Sequence, residues 1–182
     1  EWFDAARESG ILLPEAVSLA TATPDGTPSS RMVLLKGVSD RGFEFYTNFG
    51  SRKAKELDEN PKAALLAYWP VLERQVRIEG TVGRLSLAEA DAYFRTRARG
   101  SQLGAWASKQ SEILDTADHL RARFERYDAQ FQDSEVPLPP FWGGYRMKPE
   151  RIEFWQGRLN RLHDRLVFCR TESGWEATRL YP

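Results

Sequence analysis

The first third of the chain alternates short apolar stretches with turn residues. Residues 16–23, 30–38 and 43–48 are rich in apolar and β-branched side chains, which predicts three strands. Residues 24–26 (Pro-Asp-Gly) and 39–42 (Ser-Asp-Arg-Gly) separate these strands and favour tight turns. Strands joined by such short turns pair antiparallel, so this part of the sequence predicts a meander.

Polar segments with a helical period interrupt the predicted strands. Residues 1–8 predict one short helix and residues 52–59 predict another. Ser51 is suited to cap the second helix, which must stop before Pro61.

A longer helical region follows the strands. Ser86 and Glu89 have the spacing of a capping box, which predicts a helix that begins there and runs to about Arg97. Two further helices are predicted over residues 101–109 and 116–131, and the second of them is charged on its outer face. The pattern therefore predicts helices inserted between two groups of strands.

The remaining segments are extended. Residues 63–69 and 74–85 predict two strands, with Gly80 and Gly83 as bulge or bend points in the second. The proline-rich segment 136–140 cannot be helical. The predicted C-terminal strands cover residues 144–147, 151–155, 163–170 and 175–180. Together these elements predict an α+β fold, mainly antiparallel, in which a β-barrel is the centre of one domain spanning residues 1–182.

Composition narrows the class of protein. A chain of 182 residues with 41% hydrophobic residues and six tryptophans is typical of a globular domain with a packed core. Its 26 basic and 26 acidic residues give zero net charge, which argues against bulk attraction to nucleic acid or to an anionic membrane. No apolar stretch approaches the roughly 20 residues that a membrane-spanning helix needs.

Cys169 is the only cysteine, so the chain cannot form an intrachain disulfide, which fits a reducing cytoplasm. The two histidines, His119 and His163, lie far apart in sequence. With one cysteine and two distant histidines, a zinc site is not expected, and we predict no metal.

Basic residues occur in three patterns that suit anions. Arg31 and Lys36 lie five apart on a predicted strand, so they face opposite ways and either mark solvent at its rim or serve two different anions. Arg52 and Lys53 follow Ser51 at a helix start, where free N–H groups favour a phosphate. The residues between Arg31 and Lys36 are apolar, which predicts that both faces of that strand are largely buried.

A third pattern lies at the junction of two predicted helices. Tyr93 and Arg97 are four apart and share a helix face, and Ser101 lies near the start of the next helix. A phenol, a guanidinium and a hydroxyl can form a phosphate cradle. Taken alone, the spacing favours a simple Tyr–Arg stack on the helix surface.

The most informative stretch is Trp155-Gln-Gly followed by the segment Arg161-Leu-His-Asp-Arg165. If residues 161–165 form a strand, Arg161, His163 and Arg165 project from one face. Two guanidiniums and an imidazole side by side repel one another unless an anionic or electron-rich group lies against them. Spacing alone favours a solvated strand face over a binding site.

Other motifs accompany this stretch in order: Arg31-Met-Val-Leu-Leu-Lys36, Phe45-Tyr-Thr-Asn48, Ser51-Arg-Lys53 and Arg74-Gln-Val76. Together they resemble the pyridoxamine 5′-phosphate oxidase family, over about residues 16–182. The resemblance implies the FMN-binding split β-barrel with peripheral helices, and an obligate homodimer that holds the flavin at the subunit interface.

The resemblance also implies the residues that contact each ligand. The expected FMN contacts are Arg31, Met32, Val33, Leu34, Leu35, Lys36, Tyr46, Thr47, Arg52, Lys53, Gln75, Gln110, Ser111, Trp155 and Arg165. The pair Gln110 and Ser111 is expected from the partner subunit. The expected contacts of the substrate phosphate are Lys36, Tyr93, Arg97 and Ser101.

The resemblance implies that Arg161 and His163 flank the substrate's pyridine ring as catalytic residues. Arg161 would orient the reacting carbon against the flavin, and His163 would support that geometry and assist proton movement. Each phosphate carries a charge of about −1.5 to −2 near neutral pH, so two phosphates need roughly four cations. Arg31, Arg52 and Lys53 would supply one site, and Lys36 with Arg97 the other.

The implied activity is FMN-dependent oxidation of pyridoxamine 5′-phosphate and pyridoxine 5′-phosphate to pyridoxal 5′-phosphate, with O2 reduced to hydrogen peroxide. Two alternatives stay open: a related flavin oxidase of the phenazine-pathway type, or a non-enzymatic split-barrel protein that binds flavin or haem. The chain begins at Glu1, so we expect that it lacks the N-terminal segment with which family members help to cover the substrate. No nucleic-acid or membrane partner is expected.

Overall fold

The computed structural model describes residues 1–182 and places nine antiparallel strands in one curled sheet, with five helices around it. The strands are β1 (Ala16–Ala22), β2 (Pro28–Leu34), β3 (Gly37–Ser39), β4 (Gly42–Asn48), β5 (Lys62–Trp69), β6 (Arg74–Arg84), β7 (Trp142–Gln156), β8 (Asp164–Thr171) and β9 (Gly174–Arg179). The helices are α1 (Trp2–Glu8), α2 (Arg52–Glu59), α3 (Leu87–Arg95), α4 (Arg99–Ala107) and α5 (Ala117–Gln130). The prediction of a mainly antiparallel α+β fold is confirmed.

Strand β7 organises the sheet. Residues 145–156 of this strand pair with β6, while residues 142–147 pair with β4 and residues 151–156 pair with β8. The complete order is β2-β1-β5-β6-β7-β4-β3, and β8 with β9 continues from the far half of β7. The two ends of β7 therefore lie in two different parts of the protein.

The main core lies on one face of the sheet because apolar residues alternate along its strands. Val17 and Leu19 of β1 and Leu65 of β5 are fully buried in it, and Phe45 of β4 joins them. Helix α1 covers one edge through Ala6. A second, smaller core ties α3, α4 and α5 to the start of β7, which fixes those helices beside the end of β4.

Two strand predictions were wrong in the first half of the chain. The predicted strand 30–38 is divided into β2 and β3, because the chain changes partners: the Leu35 amide donates to Glu15 and the Lys36 amide to Glu44. Arg31 and Lys36 therefore do not share a strand. Nor is β2 buried on both faces, since Met32 is 63% exposed.

Residues 144–147 and 151–155 were predicted as separate strands but belong to the single strand β7. The strand continues through a bulge, where its pairing with β6 shifts by one residue. Arg151 pairs with Glu79 and Pro149 pairs with Gly80, so Glu150 is the extra residue of β7. Pro149 lies at this irregular point, where a missing N–H costs no regular ladder hydrogen bond.

The helix starts were predicted better than the helix ends. Ser86 and Glu89 do form the capping box of α3, but the helix ends at Arg95, so Arg97 lies beyond it. Ser51 is the N-cap residue of α2 but makes no side-chain capping hydrogen bond. Its hydroxyl accepts a hydrogen bond from the Lys53 ammonium instead, at 3.3 Å.

Candidate functional site

A cleft of about 480 Å³ opens between the β2–β4 edge of the sheet and helices α3 and α4. Eleven of the residues that the sequence predicted as ligand contacts line it. These are Met32, Val33, Leu34, Lys36, Tyr46, Thr47, Lys53, Tyr93, Arg97, Ser101 and Gln110. Residues from five separate segments of the sequence thus meet in one cavity.

Lys53 lines the cleft with only 7% of its surface exposed. Its ammonium donates to Gln110 Oε1 at 2.8 Å and to Thr47 Oγ1 at 3.1 Å, and no carboxylate pairs with it. Burial, followed by the nearby charge of Arg31, lowers the pKa of Lys53 to about 8. A buried ammonium that is held only by neutral oxygens is a site for an anion.

Gln110 was expected to act from the partner subunit, but here its side chain lies in the cleft of its own chain. The contact with Lys53 is supported by Asn48, whose Nδ2 donates to the Ser108 carbonyl at 3.1 Å. That bond ties the end of β4 to the segment after α4. Ser111, the other residue of the pair, is exposed and has a positive φ of 73°.

Arg31 and Arg52 do not stand free beside Lys53, because both bind the carboxylate of Glu56 on α2. Glu56 is 4% exposed and accepts from Arg52 Nε at 2.8 Å and from Arg31 Nη2 at 3.2 Å. Ser29 also donates to it at 2.6 Å. The expected cluster of three cations is therefore reduced by one buried negative charge, and neither arginine lines the cleft.

Burial alone would raise the pKa of Glu56, but its hydrogen bonds outweigh that effect. Donation from Ser29, Thr21, Arg52 and Arg31 lowers the pKa to about 2. The carboxylate is thus charged across the physiological range and holds both guanidiniums in place. Glu56 was not among the predicted site residues, because its role depends on contacts with Ser29 and Arg31, which lie far from it in sequence.

Arg97 also lines the cleft and has no acidic partner. Its Nη1 is buried without any hydrogen-bond partner, and its guanidinium carbon lies 4.7 Å from the ring centroid of Trp142. Burial lowers the pKa of Arg97, and Tyr93 partly offsets this. Lys36 is less free, since its ammonium lies 3.5 Å from a Glu15 carboxylate oxygen.

The aromatic rings beside Arg97 form a stack across three elements. Tyr46 of β4 and Tyr93 of α3 have centroids 3.9 Å apart, and Tyr46 also stacks on Trp142 at 5.6 Å. Sequence reasoning missed Trp142, which had no basic residue near it in sequence. Its position at the start of β7 becomes informative only when β4 and β7 are known to pair.

Four of the remaining predicted residues gather at the far end of β7. Gln75 pairs with Trp155, and Trp155 pairs with Arg165, so the three form one row across β6, β7 and β8 on the sheet face opposite the core. The ring of His163 lies against Trp155 with centroids 4.5 Å apart. Arg165 is held by the buried Glu153, at 2.8 Å.

Residues 161–165 do not form a strand together, whereas the predicted strand over residues 163–170 is confirmed to within one residue. Strand β8 begins at Asp164, and Arg161 ends a short 3-10 turn in which Asn160 and Arg161 both have positive φ, 57° and 61°. His163 is nevertheless held, because its Nδ1 accepts a hydrogen bond from the Arg158 amide at 3.1 Å. In the neutral ring the proton is then on Nε2.

The two groups of predicted residues do not meet within one chain. Trp142 lines the cleft, while Trp155 lies 13 positions further along the same strand, a contour length of roughly 40 Å at the usual strand rise. None of Gln75, Arg161, His163 and Arg165 lines the cleft. Each chain thus presents two separate parts of the predicted site.

No group of three or more histidine, cysteine or acidic side chains is arranged to hold a metal ion. All helices are too short or too polar to cross a bilayer.

The chain matches two family models. Residues 3–131 match one described as pyridoxamine 5′-phosphate oxidase, and residues 142–182 match one described as the pyridoxine 5′-phosphate oxidase C-terminal dimerisation region. A pyridoxine/pyridoxamine 5′-phosphate oxidase of Rubrobacter xylanophilus is 60% identical over 181 residues, which is 100% of this chain and 83% of the relative. One from Colwellia psychrerythraea is 56% identical over 182 residues, 100% of this chain and 84% of the relative.

Solved structures of similar proteins support the same family. PhzG from Burkholderia lata, in complex with tetrahydrophenazine-1-carboxylic acid, is 36% identical with a TM-score of 0.95, covering 100% of this chain and 89% of PhzG. A pyridoxamine 5′-phosphate oxidase-related FMN-binding protein from Nostoc punctiforme has a TM-score of 0.80 at 16% identity, covering 100% of this chain and 96% of that one, and shows the shared fold. The split-barrel prediction is confirmed, and the chain belongs to the pyridoxamine 5′-phosphate oxidase family.

Proposed function

We propose that this protein is an FMN-dependent oxidase that converts pyridoxine 5′-phosphate and pyridoxamine 5′-phosphate to pyridoxal 5′-phosphate. The observation that carries the proposal is that the cleft is lined by two cations, Lys53 and Arg97, neither of which has a carboxylate partner. A ligand pair with two phosphates suits this arrangement. The alcohol and O2 give the aldehyde and hydrogen peroxide; the amine requires one water as well and releases ammonia.

The Lys53 end fits the phosphate of FMN. Its ammonium is buried, its neighbours Thr47 and Gln110 supply further polar atoms, and a dianion there would supply the counter-charge that the fold itself lacks. Arg31 and Arg52, fixed by Glu56, would add positive potential from behind. When bound, FMN supplies the hydride-accepting chemistry and passes the electrons to O2.

The Arg97 end fits the phosphate of the substrate. The unpartnered Nη1 is available as a donor, and Tyr93, Ser101 and Lys36 line the same part of the cleft. Charge-assisted hydrogen bonds from a guanidinium to a phosphate are among the stronger polar contacts in proteins. They would place the pyridine ring at a set distance from Lys53 and exclude water between the two ligands.

Arg161 and His163 would act on the reacting part of the substrate. The Arg161 backbone is in the left-handed region, which costs of order 1 kcal/mol for a residue with a side chain and is characteristic of functional positions. His163, fixed through Nδ1, presents Nε2 as the atom that can donate or hold a proton. Their contribution is orientation of the substrate and control of one proton position.

We propose a homodimer in which each site combines the cleft of one chain with the Trp155–Arg165 group of the other. The separation of the two groups along β7 supports this, as does the match of residues 142–182 to a dimerisation region. Exposed apolar side chains on the same sheet face also support it: Met32, Leu66 and Tyr68 lie opposite the core.

A complementation experiment tests the shared site. Arg97→Ala removes a cleft residue and Arg161→Ala removes one from the other group, so each variant alone should be inactive. Mixed dimers would contain one site with both changes and one intact site. With random exchange, about a quarter of the wild-type activity should return, since half of the dimers are mixed. No recovery after proven exchange would show that both residues act within one chain.

The activity itself is tested by spectroscopy. Purified protein loaded with FMN should show the visible absorption of oxidised flavin. Pyridoxamine 5′-phosphate added without oxygen should bleach it, and air should restore it with release of hydrogen peroxide. Absorption that persists after the substrate is added would reject this substrate while leaving the FMN site intact.

A second candidate follows from the likeness to PhzG. That likeness, with a TM-score of 0.95, favours an oxidase acting on a tricyclic phenazine precursor. The two candidates differ in the anion that each substrate carries, because tetrahydrophenazine-1-carboxylic acid has one carboxylate, whereas the B6 substrate has a phosphate with a charge of about −1.5 to −2. Bleaching by tetrahydrophenazine-1-carboxylic acid, and none by pyridoxamine 5′-phosphate, would establish the second candidate. A cytoplasmic location stays a prediction from the sequence.

A further inference from the structure

We infer that Trp142 is the positioning residue for Arg97, and that it fixes the guanidinium through its ring face so that the positive charge stays available to a phosphate. This inference rests on the proposed function, because it concerns the residue that would hold the substrate phosphate. It adds a specificity-determining residue that the motifs do not contain.

The first observation is what Arg97 lacks. Its Nη1 is buried with no partner, and Tyr93 is the one titratable group whose charge acts on it. A long, flexible side chain without a hydrogen bond would lose its orientation if nothing else constrained it. The constraint must come from packing.

The second observation is what Arg97 contacts. Its guanidinium carbon lies 4.7 Å from the centroid of Trp142, within the distance at which a cation is attracted to an aromatic face. The ring of Phe94 is further away, at 5.6 Å. Tryptophan offers the strongest such face among the aromatic residues, so Trp142 dominates the interaction.

The third observation is that Trp142 itself cannot move. It is 7% exposed, it packs edge-on against Phe94 at 5.2 Å, and it stacks on Tyr46 at an interplanar angle of 14°. Its backbone is in register with Asn48 of β4. A ring fixed on three sides gives the guanidinium a rigid platform.

The contrast with Arg31 shows what the arrangement achieves. Arg31 is fixed by the carboxylate of Glu56, which also offsets part of its charge. Arg97 is fixed by an uncharged ring, which leaves the full charge for a ligand. The same residue type is thus positioned in two ways, and only the second leaves a strong anion site.

The test uses the FMN-loaded protein and two unreactive probes, 4-deoxypyridoxine 5′-phosphate and 4-deoxypyridoxine. Calorimetry gives the affinity of each, and their ratio measures phosphate recognition. Trp142→Leu should reduce this ratio on the order of tenfold, the size expected for a partly desolvated cation–π contact. Trp142→Phe, which keeps a ring, should lose less. With pyridoxamine 5′-phosphate, the loss should appear in KM more than in kcat.

Two controls separate positioning from general damage. Trp106 also packs on the smaller core, but no arginine guanidinium lies over its ring. Trp106→Leu should therefore lower the free energy of unfolding and leave the ratio of the two probe affinities unchanged. FMN affinity, which depends on the Lys53 end, should be unchanged in Trp142→Phe and shows that this variant is folded. In an Arg97→Gln background, which lacks the cation, Trp142→Phe should have no further effect on the ratio.

The outcomes are distinct. A wild-type preference for the phosphorylated probe that survives in Trp142→Leu and Trp142→Phe overturns the inference and leaves the proposed function standing. A wild-type protein with no such preference overturns the proposed substrate, and the inference with it. If substitutions of Trp142 and of Arg97 each lower the preference for the phosphorylated probe, and their effects are not additive, the result supports both the inference and the proposed function.

Discussion

The rings of Tyr46 and Tyr93 stack with centroids 3.9 Å apart and an interplanar angle of 20°. Tyr46 belongs to the strand that leads to the proposed FMN phosphate site, and Tyr93 belongs to the helix that leads to the proposed substrate phosphate site. Burial, followed by the charge of Glu44, raises the pKa of Tyr46 to about 12, so its phenol is neutral at physiological pH. The stack is therefore an uncharged link between two cationic regions.

Two substitutions of Tyr93 should distinguish the role of its ring from the role of its hydroxyl. Tyr93→Phe keeps the stack, so stability and FMN affinity should be unchanged while KM for pyridoxamine 5′-phosphate rises. Tyr93→Leu removes the stack as well and should also lower the free energy of unfolding by about 1 kcal/mol or more. Urea unfolding and steady-state kinetics check these outcomes. Equal KM values in Tyr93→Phe and wild type would remove the hydroxyl from the substrate site.

Lys53 should make the stability of the FMN-free protein depend on pH. Its pKa is lowered to about 8 in the fold, whereas an unfolded lysine titrates near 10.5. Below pH 8 both states are protonated and the fold bears the full cost of a buried charge. Between pH 8 and 10.5 the unfolded chain binds more protons, so stability should rise with pH across this window.

Bound FMN should reverse that trend, because its phosphate favours the charged lysine. We expect FMN affinity to fall as pH rises above 8. The comparison is between wild type and Lys53→Met, each unfolded in urea with and without FMN at pH 7 and 9.5. The difference between the two proteins isolates Lys53 from other groups that titrate there. An FMN affinity that falls equally in both proteins would assign the pH dependence elsewhere.

Glu56 should stabilise the protein against acid. Its pKa is lowered to about 2, against an ordinary value of 4.5, so its contribution is complete above pH 4.5 and is lost as pH falls toward 2. Glu56→Gln should cost roughly 3 kcal/mol at neutral pH, because Arg31 and Arg52 lose their shared partner. The cost should shrink at pH 3. Glu59→Gln, exposed on the same helix, is the matched control and should change little.

Much of the fold was predictable because its signals are local. The capping box at Ser86 and the turn residues at 24–26 act within a few positions, and strand alternation follows from the period of two. The division of strand 30–38 was not predictable in this way. It depends on Leu35 and Lys36 bonding to different neighbouring segments, which is a property of the tertiary structure.

The candidate site shows the same division between local and tertiary signals. The motifs correctly indicated which residues line the cleft, such as Lys53 and Arg97. They did not show that Glu56 shares the charge of two arginines or that Trp142 supports a third. Both supporting residues come from segments whose own sequence is ordinary, and their roles arise from pairing between distant strands and helices.

Substitutions in the turn at Asn160 and Arg161 should change activity without a matching change in stability. Arg161 has a φ of 61°, which glycine adopts without strain, so Arg161→Gly should be no less stable than wild type within about 1 kcal/mol. Arg161→Ala keeps the strain and should be close to wild type. Both variants lose the guanidinium that orients the substrate, so turnover at saturating pyridoxamine 5′-phosphate should fall on the order of 100-fold.

Asn160→Gly is the matched control for these variants. It relieves the neighbouring strained position, with a φ of 57°, but removes no side chain from the proposed site, so turnover should be unchanged. Kinetics at saturating substrate and urea unfolding of all three variants check the set. Unchanged turnover in Arg161→Ala would exclude an orienting role for the side chain. Reduced turnover in Asn160→Gly would show that the shape of the turn, more than the guanidinium, controls the reaction.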